Sequence, residues 1–159
     1  MTAFLTPLLA PDLRAADIPE PWAFGLQDQV RFGELDVLAH VNNAAYLAWF
    51  ENLRIHYFRA YGVHNYRDGP LPRIVLKSVS LEFLAEVKLH DVYVMAGRTV
   101  SFRRTSWAME YGVWVNGEMT TRGGAVLVNL GQDGVKAALP EAWKSAFFER
   151  DGAEDLSAG

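Results

Sequence analysis

Asn43-Ala-Ala-Tyr-Leu-Ala-Trp-Phe-Glu-Asn-Leu-Arg-Ile-His-Tyr-Phe-Arg-Ala-Tyr-Gly62 is the one long stretch of this chain with helical periodicity. Its apolar residues Tyr46, Leu47, Phe50, Leu53, Tyr57, Phe58 and Tyr61 recur at three- and four-residue spacing. Asn42 or Asn43 caps the start, and Gly62 supplies the C-terminal stop. The apolar residues cover much more than one stripe, so the helix must be enclosed rather than laid on a surface.

Beyond the helix the chain is mostly strand. Arg73 to Ala85 alternates Val75, Val79, Leu81 and Phe83, and Asp91 to Arg103 holds Val92 to Met95 and Val100 to Phe102. Ser106 to Val115 places Trp107, Met109, Tyr111, Val113 and Val115 on one face with a period of two. Asn116-Gly117 predicts a type I′ hairpin turn into a strand from Glu118 to Leu130. Gly123-Gly124 in that strand reads as a bend or bulge that helps the sheet curve. A short helix is predicted from Pro140 to Arg150, with Pro140 at its first position. Before the long helix, Trp22 to Phe32 is strand-like. The expected fold class is α+β: a curved antiparallel sheet wrapped around one central helix. Its edge strands are candidates for pairing with a second copy.

The 159 residues suffice for one domain that buries roughly 70% of its unfolded surface. Half are hydrophobic and 21% charged, which excludes wholesale disorder. The absence of cysteine excludes a disulfide framework, a thiolate metal site and a cysteine nucleophile. A net charge of −4 gives no basic field for nucleic acid. Phe4 to Ala10 is broken by Thr6 and Pro7, has no preceding basic residue and is too short to span a bilayer. A cytoplasmic protein with no membrane partner is expected. Residues 1–22, with four prolines, read as an irregular arm with at most one helical turn; 23–150 as a single domain; 151–159 as a frayed tail.

Chemistry concentrates just before the long helix. A strand delivers the chain to Asp36, a short loop comes next, and the helix starts near Asn43. A helix N-terminus presents unpaired N–H groups and partial positive charge, a ready site for a developing oxyanion. A carboxylate seven residues earlier can lie beside it, and the pair is a minimal set for acyl transfer to water.

The run Phe32-Gly-Glu-Leu-Asp36-x-x-x-His40-Val-Asn-Asn43-Ala-x-Tyr46 resembles the signature of hotdog-fold acyl-CoA thioesterases of the 4-hydroxybenzoyl-CoA thioesterase type. Phe83 to Asp91 is similar to that family's strand–turn–Gly-Asp segment, and Phe102 to Trp107 to a basic hairpin used for coenzyme A. The resemblance covers roughly residues 23–130 and implies hydrolysis of an acyl-CoA thioester to free acid and coenzyme A. By resemblance, Asp36 is the catalytic aspartate, acting as nucleophile or as general base. The Asn43 backbone N–H polarises the thioester carbonyl. His40, Asn42 and Tyr46 occupy shared substrate-site positions, and Arg103 and Arg104 contact coenzyme A phosphates. Glu34 departs from the family's aspartate, Ala39 from a glycine before the histidine, and His90 from a glycine before the turn aspartate. Alanine at position 39 tolerates a positive φ badly.

No metal and no cofactor is implied, because coenzyme A thiolate is an adequate leaving group. The partners implied are acyl-CoA, or an acyl carrier protein in its place, and a second copy in a homodimer or dimer of dimers. Each residue has a plainer reading. Asp36 suits a turn, His40 a loop hydrogen bond, Asn42 and Asn43 a cap, Tyr46, Trp49 and Phe50 a core. Arg103 and Arg104, read as adjacent strand residues, point to opposite faces of a solvated hairpin. His64-x-x-x-Asp68 matches a short acyltransferase pattern of no weight alone. Three other functions are open: an acyl-thioester hydratase or dehydratase, whose D-x-N-P-x-H motif is missing; a non-catalytic acyl-thioester or lipid-binding module; and a structural or partner-binding dimer, which would have no pocket.

Overall fold

Alternating side chains build the sheet and a broad apolar helix fills it. The computed structural model describes residues 3–158. In chain order the elements are β1 (Leu8–Leu9), α1 (Ala10–Ala15), β2 (Phe24–Gln29), a 3-10 turn (Phe32–Glu34), α2 (Asn43–Ala60), β3 (Arg73–Phe83), β4 (Val92–Phe102), β5 (Ser106–Val115), β6 (Glu118–Leu130), α3 (Glu141–Asp151) and β7 (Glu154–Asp155). The sheet order is β1-β2-β4-β5-β6-β3, every neighbour antiparallel, with β7 added in parallel to the end of β4. Asn116 and Gly117, at φ 51° and 77°, make the β5–β6 turn as predicted.

The α2 helix buries Tyr46, Trp49, Phe50, Leu53, Arg54, Tyr57 and Phe58, while Leu47 is 43% exposed. Trp107, Met109, Tyr111 and Val113 of β5 face it in one continuous core. Phe50 stacks on Tyr111 with ring centroids 4.7 Å apart, and Trp49 on Tyr93 at 4.0 Å. Gly123 does not mark a bulge. Its register with Leu81 is continuous, and the irregularities lie instead at Leu76/Ser78 and Val113/Trp114. A Cβ there would stand 3.0 Å from the Phe50 ring and 3.2 Å from the Ser80 carbonyl, so glycine serves close approach of the helix.

Residues 1–22 differ from an irregular arm. Pro11 sits in the first turn of α1, where a missing N–H is harmless, so this proline starts a helix rather than preventing one. Leu8, Leu13, Ile18 and Trp22 then cover Val94, Ala96 and Trp114 on the outer face of the sheet. The tail differs as well: Ala153 is buried, and the Leu156 N–H donates to the Phe102 carbonyl at 2.8 Å. Pro140 is the cap of α3 rather than its first residue, so the helix begins at Glu141, one position later than predicted.

The terminal helix is tied down by a buried carboxylate. Asp151, 4% exposed, accepts hydrogen bonds from the Tyr57 and Tyr61 hydroxyls, each at 2.5 Å, and from the Thr99 N–H at 2.8 Å. Removing it leaves the Tyr61 hydroxyl and the Thr99 N–H without a partner, while the Tyr57 hydroxyl keeps Thr99 Oγ1 at 2.8 Å, so Asp151→Ala should cost about 3 kcal/mol in denaturant unfolding. Burial raises the Asp151 pKa above the ordinary carboxylate range, outweighing its hydrogen bonds. The folded chain therefore binds this proton more tightly than the unfolded chain does. The resulting stability is complete below the unfolded pKa and is lost as pH rises through the folded one. The stability of wild type relative to Asp151→Asn should accordingly be larger at pH 4 than at pH 7.

Candidate active site

The loop between β2 and α2 is held at both ends by main-chain bonds. The Asp36 N–H donates to the His40 carbonyl at 2.8 Å, and the Asn42 N–H to the Glu34 carbonyl at 2.7 Å. The Val41 N–H donates to the Val87 carbonyl at 2.8 Å, which pins the loop to the segment joining β3 and β4. Glu34 adds a side-chain anchor: one oxygen accepts from the Trp49 indole and the other from the Arg31 N–H, both at 2.9 Å. Glutamate in place of the family's aspartate thus reaches the helix core.

Asp36 folds its own carboxylate into this loop. Oδ1 accepts from the Leu38 N–H at 2.9 Å and from the His40 N–H at 3.3 Å, as short acidic side chains do in turns. Among the described residues no donor reaches Oδ2. Asn42 is the helix cap, its side chain accepting from the Ala44 N–H at 2.9 Å. Asn43 is the first helical residue, and among the described residues its N–H has no acceptor, as expected of a first-turn donor. His40 Nε2 lies 3.2 Å from a carboxylate oxygen of Glu86.

These groups share one cavity of about 460 Å³, lined by Asp36, Leu38, His40, Val41, Asn43, Tyr46 and the segment Phe83 to Val87. Tyr46 forms the buried wall, 2% exposed, against Trp49 and Phe83 at centroid distances of 4.9 and 5.2 Å. Burial raises its phenol pKa, so it stays a neutral donor. The cavity therefore offers a carboxylate oxygen, a free N–H at a helix start, and an apolar wall. A larger cavity, about 650 Å³, is lined by Pro7, His56, Arg59, Arg67 and Asp68 among others. It lies toward the far end of α2, about 20 Å from Asn43 at the rise of a helix, and brings no carboxylate to a helix start.

The sequence candidates Asp36, His40, Asn43 and Tyr46 are thus brought together, and Asn42 holds the helix start beside them. Arg103 and Arg104 are not with them. They occupy the turn between β4 and β5 rather than strand positions, so the expectation of opposite strand faces is corrected. The length of β4, about 30 Å, separates them from the cavity of their own chain. Glu86 was missed by sequence reasoning because only the fold brings the β3–β4 connection against the His40 loop.

Both departures from glycine sit in left-handed backbone: Ala39 at φ 61° and His90 at φ 68°. The Ala39 N–H closes a turn onto the Asp36 carbonyl at 3.1 Å, so the strain is held inside the site loop. Ala39→Gly should relieve about 1 kcal/mol. Thermal unfolding should then shift up by about 2–4 °C.

The uncharacterized protein YsmA of Bacillus subtilis is 27% identical over 109 residues, 68% of this chain and 73% of its own length. A structure from Jannaschia sp. CCS1, described as of the thioesterase superfamily, is 45% identical with a TM-score of 0.91, covering 99% of this chain and 100% of that one. A Thermus thermophilus thioesterase complexed with coenzyme A and Zn is 34% identical with a TM-score of 0.75, covering 84% of this chain and 98% of that one. The model of the thioesterase-like superfamily matches residues 30–147, which include every residue lining the Asp36 cavity, and the chain belongs to that superfamily.

Proposed function

We propose that this chain hydrolyses an acyl-CoA thioester, in the manner of the 4-hydroxybenzoyl-CoA thioesterase type. The observation that carries the proposal is the Asp36 carboxylate and the unbonded Asn43 N–H on one cavity. Its similarity to a thioesterase that was complexed with coenzyme A supports the choice of carrier. The carbonyl oxygen sits at the start of α2, where the Asn43 N–H and the helix dipole take up the charge that develops on it. Asp36 Oδ2 either attacks the carbonyl carbon or takes a proton from the water that does. The C–S bond breaks and coenzyme A leaves as thiolate; on the base route the water oxygen gives the acid directly, and on the nucleophile route water then cleaves the acyl–Asp36 anhydride, releasing the acid and restoring the carboxylate. Tyr46 and Phe83 flank the acyl group.

The working unit is a pair of chains joined along β3, the long edge strand of the sheet. That strand exposes Val75, Leu76, Val79 and Phe83 at 40–45%, beside Leu84 and Leu47. An unpaired ladder flanked by apolar side chains fits a second copy. Val79→Asp should convert the dimer to monomer in light scattering. Antiparallel pairing about the middle of β3 sets the Arg73 end of one copy beside the Phe83 end of the other. Arg103 and Arg104 lie at the Arg73 end of the sheet, through the pairings of β3 with β6, β6 with β5 and β5 with β4. They are thereby turned toward the partner's cavity, where they meet coenzyme A phosphates.

Thiol release from aromatic, short-chain and long-chain acyl-CoAs tests the activity. Tight binding of acyl-CoA with no turnover would instead favour a binding module.

A further inference from the structure

Arg54 is a largely buried cation that has no anion paired with it among the described residues. It projects from α2 with 9% exposure, donates one hydrogen bond to the Tyr111 hydroxyl at 3.3 Å, and lies 5.8 Å from the centre of that ring. Among the described residues no carboxylate comes within ion-pair distance of it; even Glu51, one turn earlier on the helix, does not. The side chain is largely withdrawn from water and has one neutral partner, so the guanidinium nitrogens that reach the neighbouring cavity are free to take an anion that arrives from outside.

The room for one is present. A cavity of about 340 Å³ is lined by Arg54 and Glu51 together with apolar or aromatic groups that include Phe58, Tyr66, Ile74 and Leu76. It opens where α2 meets the Arg73 end of β3, and the β3 pairing proposed above sets that end against the partner's Phe83. An acyl group entering the partner's cavity past Tyr46 and Phe83 would extend toward this arginine.

We infer that Arg54 of one copy is the counter-ion for an anionic group at the far end of the acyl chain bound by the other copy. The substrates are then thioesters of dicarboxylic acids, or acyl groups with an equivalent terminal anion. This rests on the thioesterase and dimer readings above. Guanidinium suits the task because its planar fork matches a carboxylate in two parallel hydrogen bonds.

The test compares succinyl-, glutaryl- and adipyl-CoA with butanoyl-, pentanoyl- and hexanoyl-CoA. The proteins are wild type, Arg54→Met and Arg54→Lys, with melting temperatures recorded for each. Wild type should prefer the best ω-carboxyl substrate by at least tenfold in kcat/KM. Arg54→Met should lose that ratio and Arg54→Lys should keep part of it. Equal rates on charged and uncharged chains in wild type would overturn the proposal, as would an Arg54→Met protein slowed alike on both. The same pairs are titrated calorimetrically into Asp36→Asn protein with and without Arg54→Met. A carboxylate preference in binding that Arg54→Met removes, with no hydrolysis by wild type, would uphold the subsite and reject the thioesterase reading. Hydrolysis without preference would do the reverse.

Discussion

Asp36→Asn is expected to lower kcat for thiol release by about 10³-fold while leaving acyl-CoA binding nearly unchanged. The amide keeps the shape of the loop, because its Oδ1 can still accept from the Leu38 and His40 N–H groups. What it loses is the second carboxylate oxygen, the atom without a protein donor. A nucleophile and a general base both act through that atom, so the loss is predicted for either role. Single-turnover thiol release measures the first quantity and calorimetry the second. A capping or turn-forming aspartate would give the opposite pattern: a destabilised protein with little change in kcat.

The second large effect concerns a main-chain atom and needs a substitution that removes it. Asn43→Pro deletes the N–H and should lower kcat by about 10²–10³-fold, the usual cost of one oxyanion donor. Asn43→Ala keeps the N–H and should stay within about threefold of wild type. Proline is tolerated at this place on three grounds. Asn43 is the first helical residue, its N–H has no acceptor within the described chain, and Asn42 before it is already extended at φ −64° and ψ 139°. A similar melting temperature for both variants with divergent kcat separates catalysis from folding. If proline and alanine behave alike, the helix start takes no part in the reaction.

The central helix and the strands from β3 to β6 were legible because their periods are local. Three- and four-residue spacing marked α2, two-residue spacing marked β5, and Asn116-Gly117 marked the turn. The sheet order was not legible in residues, since β3 pairs with β6 across about 40 to 60 positions, from Phe83–Thr121 to Arg73–Leu130. Four prolines left only a short helical turn to be read in residues 1–22, and α1 is that short helix, with one of the prolines where it begins. The tail hid β7, because Glu154 and Asp155 join β4 through backbone bonds that have no side-chain signature. Within the site, Asp36, His40, Asn43 and Tyr46 stand within eleven consecutive positions and were readable as a unit. Glu86 and the Phe83 wall reach the same cavity because the fold joins the β3–β4 connection to the loop, at the Val41–Val87 bond and the His40–Lys88 bridge. Arg54 carried no signal of its own in the sequence of α2. Its isolation from any carboxylate is a property of the packed molecule.

Continuous thiol release by the wild-type protein across the full acyl-CoA panel, with Asp36→Asn run in parallel, decides whether this chain is a thioesterase that works through Asp36. Turnover of at least one acyl-CoA far above the uncatalysed rate, collapsing in the variant, is the predicted result. Equal rates in the two proteins would remove Asp36 from the reaction, and none above background from any acyl-CoA would contradict the thioesterase activity itself.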